Sequence, residues 1–519
     1  MNNGSSVDRV RWMSLSAPVS DARAVPVGHR LKRWLYIGHR WLGIGSCILF
    51  AMWFLSGLVM IYMPFPALTQ SERLADLPAI DWRLVRRFPA TDLQAAGVES
   101  LPRRAVLEMR GALPVWRVRA DRGDERTISA LDGTMQLPPT EGQARDIAER
   151  FGHAPALGVT RVERDQWTVA GSFDGHRPLW KVALAGPGQR ILYVSGETGA
   201  VMLDTNRTER FWNWLGSVPH WLYFTVVRQD NALWRQVVMW VAAPCIVVGV
   251  TGFWIGILRA RLGRRRYRDG RMSPYRGWML WHHWAGFLGG LFLITWIFSG
   301  WLSVDPFRLF FGKGGIASEA VERYEAAGWS SPPPLRVLAR QGGSAKQVEL
   351  GWVHGRPFLE LRWPGRTRVL DARTLQPFRP VIAPAALMPN AHVVAVNRLT
   401  EPDAYWYQAG GLPKLPVLRV RYDDDARTWV HLDPATGRML GDLDARGRTY
   451  RWLFDLLHKW DLNVLTQSRP SWDVLLWLLS GLGLVTSVSG IWLGWKRLRR
   501  PHQRPSLVNP RRGTRSAHD

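Results

Sequence analysis

The chain has few cysteines and lacks the common motifs of soluble enzymes. Only two of its 519 residues are cysteines, Cys47 and Cys245, and both fall inside long apolar stretches. We therefore expect no disulfide in the polar segments, and the absence of a Cys-x-x-Cys-His motif excludes covalent haem attachment. The sequence also has no glycine-rich nucleotide loop, no His-Glu-x-x-His motif and no Ser/His/Asp signature. A nucleotide-binding reductase domain or a hydrolase site is therefore not predicted.

Acidic residues are scarce relative to basic ones, and the basic residues are clustered. The chain has 42 Asp and Glu against 68 Lys and Arg, a net charge of +26. Basic clusters at 30–33, 259–276 and 496–515 flank apolar blocks of about 20 residues or more, the length that spans a bilayer. If both termini are inside, all three clusters lie on the cytoplasmic side, as the positive-inside rule requires. The sequence predicts a multi-pass protein of the bacterial inner membrane, with the lipid bilayer and not nucleic acid as its partner.

Four apolar blocks divide the chain into membrane and external parts. The predicted spans are 34–63, 233–258, 277–304 and 472–496, and many of the 30 tryptophans lie at their ends, as in an aromatic belt. The two intervening segments are too long for loops and show strand patterns, so we predict two periplasmic α+β domains. Those domains are 64–210 and 305–450. The remaining predicted parts are a basic tail (1–33), an interfacial helix (211–232), an Arg-rich cytoplasmic loop (259–276), a second interfacial helix (451–471) and a basic tail (497–519).

The two halves of the chain repeat each other. His39-Arg-Trp-Leu-Gly43 opens the first span, and His282-His-Trp-Ala-Gly286 opens the third. A second set of residues repeats at a constant offset of 238. Trp214, His220, Trp234, Gly252, Trp254 and Gly256 correspond to Trp452, His458, Trp472, Gly490, Trp492 and Gly494. This register predicts an internal duplication with one histidine per half at each end of the membrane part.

The repeated histidines predict two sites, one at each end of the membrane part. Two facing imidazoles are the axial ligands of a bis-histidine haem. The predicted pairs are His39 with His282 and His220 with His458, and each would hold a non-covalent haem b. The alternative in each case is an interfacial histidine that binds nothing, and the shared register favours ligation. His283 is open as a ligand, a propionate partner or a bystander, although register favours His282.

Glycines recur on the helix faces that carry the histidines. Gly43 and Gly286 lie one turn after their histidines, on the same face. Gly57 and Gly300 lie eighteen residues after the same histidines, or five turns. We predict that these four glycines leave room for a flat porphyrin. Two Gly-x-x-x-Gly motifs fit either helix packing or the wall of a haem pocket. They lie at 252–256 and 490–494.

These patterns resemble the PepSY-associated transmembrane family. They are His-Arg-Trp-Leu-Gly at the start of a span, a Pro-x-x-x-Val strand followed by a Thr-Gly turn, and Trp-Leu-x-x-x-x-His before the next span. The resemblance covers roughly residues 30–500 and implies a PepSY-like fold for both external domains. It also implies similarity to inner-membrane ferric-siderophore reductases that carry haem b. The acceptor would be a ferric siderophore or another external oxidant. Because no nucleotide motif is present, the donor would be a quinol or a cytoplasmic reductase.

Two functional hypotheses follow. The first is a di-haem oxidoreductase that passes electrons across the membrane to reduce the external acceptor. Five basic and aromatic residues of the second external domain are candidates for contact with an anionic or hydroxamate chelate. They are Tyr405, Trp406, Tyr407, Arg419 and Arg421. The second hypothesis is a membrane-anchored PepSY sensor, or a peptidase inhibitor or chaperone, without redox chemistry.

Overall fold

The structure is a computed structural model. It describes residues 27–88, 104–119, 125–310, 315–326, 333–408, 413–466 and 468–499. In chain order, its helices are α1 (Val27–Tyr62), α2 (Gln70–Asp76), α3 (Glu141–Gly152), α4 (Arg207–Leu215), α5 (Ser217–His220), α6 (Thr225–Arg228), α7 (Asn231–Arg259), α8 (Trp278–Leu302), α9 (Ser318–Tyr324), α10 (Leu335–Gly342), α11 (Ala445–Tyr450), α12 (Leu457–Lys459), α13 (Asn463–Thr466) and α14 (Arg469–Leu498). A π-helical turn, Arg451–Leu456, joins α11 to α12.

Four of the described helices are long and apolar enough to cross a membrane. They are α1, α7, α8 and α14, and they overlap the four predicted spans, so the prediction of a four-helix membrane protein is confirmed. Local signals define their ends: the Asp230 side chain, for example, accepts hydrogen bonds from the first amides of α7. The four helices form a bundle in which α1 contacts α7 and α14, and α8 contacts the same two helices. Consequently α1 and α8 occupy opposite corners.

The short helices before α7 and α14 lie where interfacial helices are predicted. Asn206 begins α4 with a capping box to Glu209. The next helix, α5, packs against α1. In the second half, α12 and the preceding π-helical turn pack against α8. Each short helix therefore meets the spanning helix of its own half.

The polar segments form antiparallel sheets, as their strand patterns predict. In chain order, the strands are β1 (Arg104–Arg110), β2 (Leu113–Arg119), β3 (Glu125–Ser129), β4 (Ala156–Val162), β5 (Leu179–Leu184), β6 (Ile191–Ser195), β7 (Val201–Thr205), β8 (Gln347–Val353), β9 (Arg356–Trp363), β10 (Arg366–Asp371), β11 (Val393–Leu399), β12 (Val417–Tyr422), β13 (Trp429–Leu432) and β14 (Met439–Leu443). Strands β4 to β7 form one four-stranded sheet and β11 to β14 form another.

The third sheet differs from the predicted division into two domains. Its order is β10-β9-β8-β1-β2-β3, so each long segment contributes three strands. The segments meet where β1 pairs with β8, with Ala105 opposite Leu350. Each three-stranded meander would otherwise expose an unpaired edge, and pairing the two meanders covers both edges. Strands of both predicted segments, 64–210 and 305–450, are therefore paired in one sheet.

Buried charges tie the shared sheet to the other two sheets. Glu108 on β1 accepts a hydrogen bond from Arg117, which also donates to the carbonyl of Thr198 beside the β6–β7 turn. Glu349 on β8 is paired with Arg438, which precedes β14. Burial alone raises the pKa of each glutamate, but the surrounding arginines outweigh it and lower both pKa values to about 2. Both carboxylates are therefore charged at neutral pH and hold the three sheets together.

Candidate functional site

His39 on α1 and His282 on α8 face each other across the bundle. Their ring centroids are 6.4 Å apart, and the ring planes are inclined by 47°. His39 Nδ1 lies 3.2 Å from the carbonyl oxygen of Val248, and His282 Nδ1 lies 2.9 Å from that of Thr486. A carbonyl only accepts, so Nδ1 carries the proton and Nε2 keeps its lone pair in both rings. We name these two residues the inner pair.

His220 on α5 and His458 on α12 form a second, outer pair. Their ring centroids are 6.0 Å apart, and the planes are inclined by 69°. Nδ1 of each ring lies 3.0 Å from a serine hydroxyl, Ser56 for His220 and Ser299 for His458. Both serines also donate to a backbone carbonyl of their own helix, so their oxygens accept from the imidazoles. The Nε2 lone pair is again left available.

A glycine backbone lies against each of the four rings. A Cβ atom at any of these glycines would lie 2.6 to 3.4 Å from Cε1 of the imidazole. Ordinary contacts begin at 3.4 Å. The distances from that Cβ position are 2.6 Å for Gly252 and His39, 3.2 Å for Gly490 and His282, 3.2 Å for Gly57 and His220, and 3.4 Å for Gly300 and His458. A side chain at Gly252, Gly490 or Gly57 would press the ring out of its position, whereas a Cβ at Gly300 would only touch it.

In the structure, each of the four predicted glycines contacts either an imidazole or the residue whose carbonyl binds one. Gly57 and Gly300 contact the outer imidazoles. At Gly43 a Cβ would meet Val248 at 3.9 Å, and at Gly286 it would meet Thr486 at 3.4 Å. Those two residues supply the carbonyls that hold the inner pair. Both distances are ordinary contacts, so these two glycines pack beside the partners of the inner imidazoles without a close approach that an alanine would prevent.

Both glycines of each Gly-x-x-x-Gly motif lie in close contacts in the structure. The first glycine of each motif contacts an inner imidazole, as described above. The second glycine contacts a neighbouring helix, with a Cβ at Gly256 3.2 Å from Phe287 and one at Gly494 3.1 Å from Ile44. Within each motif, one glycine positions a histidine and the other packs helices.

His283 lies outside the inner pair. It is buried, with Nδ1 3.1 Å from the hydroxyl of Ser273 and Nε2 3.4 Å from the carbonyl of Gly256. Tyr275 packs against its ring at 5.3 Å. Because both nitrogens have protein partners, His283 holds the 259–276 link against the bundle, and His282 is the histidine that faces His39.

The spacing within both pairs fits a bis-histidine haem. Metal–imidazole bonds are about 2 Å long, which places the centroids of two opposed imidazoles about 6 Å apart. Hydrogen-bonded Nδ1 atoms are the usual outer-shell arrangement of ligating histidines. Among the described residues, no group of three or more His, Cys, Asp or Glu side chains could hold a bare metal ion. A haem needs only two axial ligands, because its macrocycle supplies the equatorial nitrogens.

Two of the five candidate chelate contacts, Arg419 and Trp406, pack around His431, while Tyr405 and Tyr407 are half-buried. Arg419 is buried, forms an ion pair with Asp403 and donates to Nε2 of His431 at 2.9 Å. Trp406 stacks on His431 with centroids 4.4 Å apart. Burial, followed by the charge of Arg419, lowers the pKa of His431 to about 4, so this imidazole is neutral at neutral pH. Of the five candidates, Arg421 remains exposed.

The structure has four helices that can cross a membrane, two pairs of facing histidines and antiparallel sheets joined to the helices. These features define a multi-pass membrane protein. The family model for the PepSY-associated TM region matches residues 36–354 and 318–519, so the chain belongs to this family. This confirms the family resemblance. A comparison with curated proteins found no match.

The sequence did not reveal the partners of the imidazoles. Ser56 and Ser299 immediately precede repeated glycines, and this repeated Ser-Gly pair was the available signal. The carbonyls of Val248 and Thr486 gave no such signal, since every residue has one. Those two residues are nevertheless related by the 238-residue offset, as are Thr251 and Ser489, whose hydroxyls lie 3.4 Å and 3.2 Å from the inner imidazoles.

Proposed function

We propose that the protein is a di-haem b electron-transfer protein of the bacterial inner membrane that reduces a periplasmic acceptor. The observation that carries this proposal is the pairing of four imidazoles. In both pairs the Nδ1 atoms are anchored by the protein and the Nε2 atoms remain free, at a centroid spacing that suits axial ligation. A purely structural histidine would have no need of an equivalent partner on the opposite corner of the bundle.

The chain would hold and orient the two groups as follows. His39 and His282 would hold the inner haem, and His220 and His458 the outer one. A haem with two histidine ligands carries one electron and has no open iron position, which suits electron transfer. Hydrogen bonds to Nδ1 fix the tautomer and raise the basicity of each ligand.

The bundle sets the separation of the two sites and keeps water away from the space between them. Seventeen residues of α1 separate His39 from Ser56, which binds the outer pair. At a helix rise of about 1.5 Å per residue, the two levels are about 25 Å apart. An apolar cluster lies between them and includes Phe50, Phe54 and Leu293. Electrons would therefore cross a dry, closely packed layer.

Charge placement supports the proposed orientation. The Arg-rich link 259–276 joins α7 to α8 at the end of the bundle that carries the inner pair. Under the positive-inside rule this end is cytoplasmic. The outer pair and the three sheets then lie on the periplasmic side.

We favour a ferric siderophore as the acceptor, with a quinol or a cytoplasmic reductase as the donor. The first assignment follows the resemblance to ferric-siderophore reductases. It also has a chemical basis, because hard oxygen donors hold Fe(II) less well than Fe(III), so that reduction would release the metal.

Spectroscopy tests the proposal directly. The purified protein, expressed with sufficient haem, should give a dithionite-reduced b-type spectrum with two haems per chain. Ferric siderophores added without oxygen should then reoxidise the haems, whereas the gallium(III) complexes of the same siderophores should not, since gallium is not reduced. A colourless protein would overturn the proposal in favour of a PepSY sensor or a peptidase inhibitor or chaperone. Reoxidation by quinones alone would place the protein in a respiratory chain.

A further inference from the structure

A cavity of about 550 Å³ opens between α8 and α14, close to the inner pair. Its lining residues are Gly277, Trp278, Trp281, Leu484, Val485 and Val488. Trp281, Val485 and Val488 are exposed on the outer surface of the bundle. In a membrane, therefore, the cavity opens towards lipid.

The cavity wall and the support of His282 are built from the same helix turns. Trp281 immediately precedes His282. Val485 precedes Thr486, and Val488 precedes Ser489, the two residues that bond to the His282 ring. A molecule in the cavity would therefore be separated from the inner pair by little more than one helix wall.

The positions of the indole rings differ between the two halves of the chain. Trp278 and Trp281 correspond to Leu35 and Gly38 in the first half. The valines do not differ in this way, because Val247 and Val250 occupy the positions equivalent to Val485 and Val488. The two halves thus share an aliphatic helix face, but their indole rings stand at different positions, since Trp34 of the first half corresponds to Gly277.

We propose that this cavity binds the ring of a lipid-soluble quinol, which donates electrons to the inner pair. The inference rests on the proposed function and names its electron donor. None of the six lining residues is charged, so the lining suits an apolar ligand. The volume is that of a small-ligand site, and indoles offer flat surfaces on which a quinol ring can stack. An acyl chain would bury apolar surface against the same walls but has no ring to stack on them, which is why we favour a quinol over a bound lipid.

Electron donation by the quinol needs no further reactant. Oxidation of one quinol to the quinone releases two electrons and two protons. The electrons leave one at a time towards the centre that His39 and His282 would hold. The protons leave to water at the end of the bundle next to the basic link 259–276.

The test fills the cavity without touching the histidines. Val488→Trp places an indole in the opening, and Val250→Trp makes the same change at the equivalent position of the other half. The two valines are a matched pair, since both are 49% exposed. With decyl-ubiquinol as the reductant under anaerobic conditions, we expect V488W to reduce its haems at least tenfold more slowly than the parent protein. V250W should keep the parent rate, and both variants should keep the parent haem content and dithionite-reduced spectrum. Unchanged reduction in V488W, or equal slowing in V250W, would overturn the inference.

A second readout does not depend on haem. A photoreactive azido-quinone should label peptides that contain Trp278, Trp281 or residues 484–488, both in the parent protein and in His39→Ala. Excess decyl-ubiquinone should abolish the labelling, and a short-chain phospholipid should not. Labelling of a colourless protein would refute the proposed function and leave the quinone site standing. A haem-loaded protein without labelling, or with labelling that phospholipid removes, would refute the quinol site alone.

Discussion

The contact between Gly252 and His39 gives the sharpest prediction about the inner site. In Gly252→Ala the new methyl group would lie 2.6 Å from Cε1 of the His39 ring. Ordinary contact begins at 3.4 Å, so the ring must retreat by about 0.8 Å. The ring cannot move that far without straining its 3.2 Å hydrogen bond to Val248, since that bond defines its position.

We expect G252A to lose inner-haem affinity by about 10- to 100-fold, the usual effect of disturbing the partner of a ligating histidine. This corresponds to about 1.4 to 2.8 kcal/mol of binding free energy. A weakened helix would not explain the loss, because alanine favours a helix over glycine by about 1 kcal/mol. The outer haem should be unaffected.

Haem titration of the purified variant, with the haem content per chain and the reduced spectrum, measures this effect. Gly45→Ala is the matched control, because Gly45 lies on the helix that carries His39 and a Cβ there meets nothing within 4 Å. G45A should bind two haems with parental affinity. The reasoning fails if G252A also binds both haems normally, or if G45A loses as much affinity as G252A.

Three further predictions concern the remaining histidine partners and the antiparallel sheets. His39→Ala and His282→Ala should each empty one site, and His220→Ala and His458→Ala the other, while His283→Ala keeps both haems; haem counts that pair the histidines differently would contradict the geometry. Ser56→Ala and Ser299→Ala should weaken the outer haem alone, by about 10- to 100-fold, as measured by haem titration. Glu108 and Glu349 have pKa values lowered to about 2, so their contribution to stability should be present above the ordinary value of 4.5 and lost as the pH falls towards 2. In Glu108→Gln, the stability measured by near-ultraviolet circular dichroism during acid unfolding should depend less steeply on pH. An unchanged pH profile would argue against stabilisation by the charged Glu108.

The membrane part was predictable from sequence because its signals are local and repeated. Apolar length alone locates four spans. The constant offset between Trp214 and Trp452, or His220 and His458, then indicates which residues occupy equivalent places. Equivalent residues on opposite helices of a bundle face each other, and the structure brings together the histidines that the register pairs.

The shared six-stranded sheet was not predictable in the same way. Strand patterns identify β1 and β8 separately, but no local feature says that Ala105 lies opposite Leu350. Pairing of distant strands depends on which edges remain uncovered after each meander forms. A charged residue within a strand usually indicates an exposed position. Glu108 and Glu349 are instead buried and paired with arginines.

The two histidine pairs are anchored in different ways, and the difference follows from their positions in the bundle. The inner histidines lie on spanning helices, and the nearest partner of each ring is a backbone carbonyl of the neighbouring helix. The carbonyls of Val248 and Thr486 accept from the rings through oxygens that no substitution removes. The outer histidines lie on short helices outside the spans, where the end of the adjacent spanning helix presents Ser56 or Ser299. The inner geometry therefore depends on how closely helices pack, whereas the outer geometry depends on two hydroxyl groups. Variation within this architecture would accordingly alter the outer site by exchanging a serine, and the inner site by exchanging a glycine that lies against the ring or one of the hydroxyls of Thr251 and Ser489.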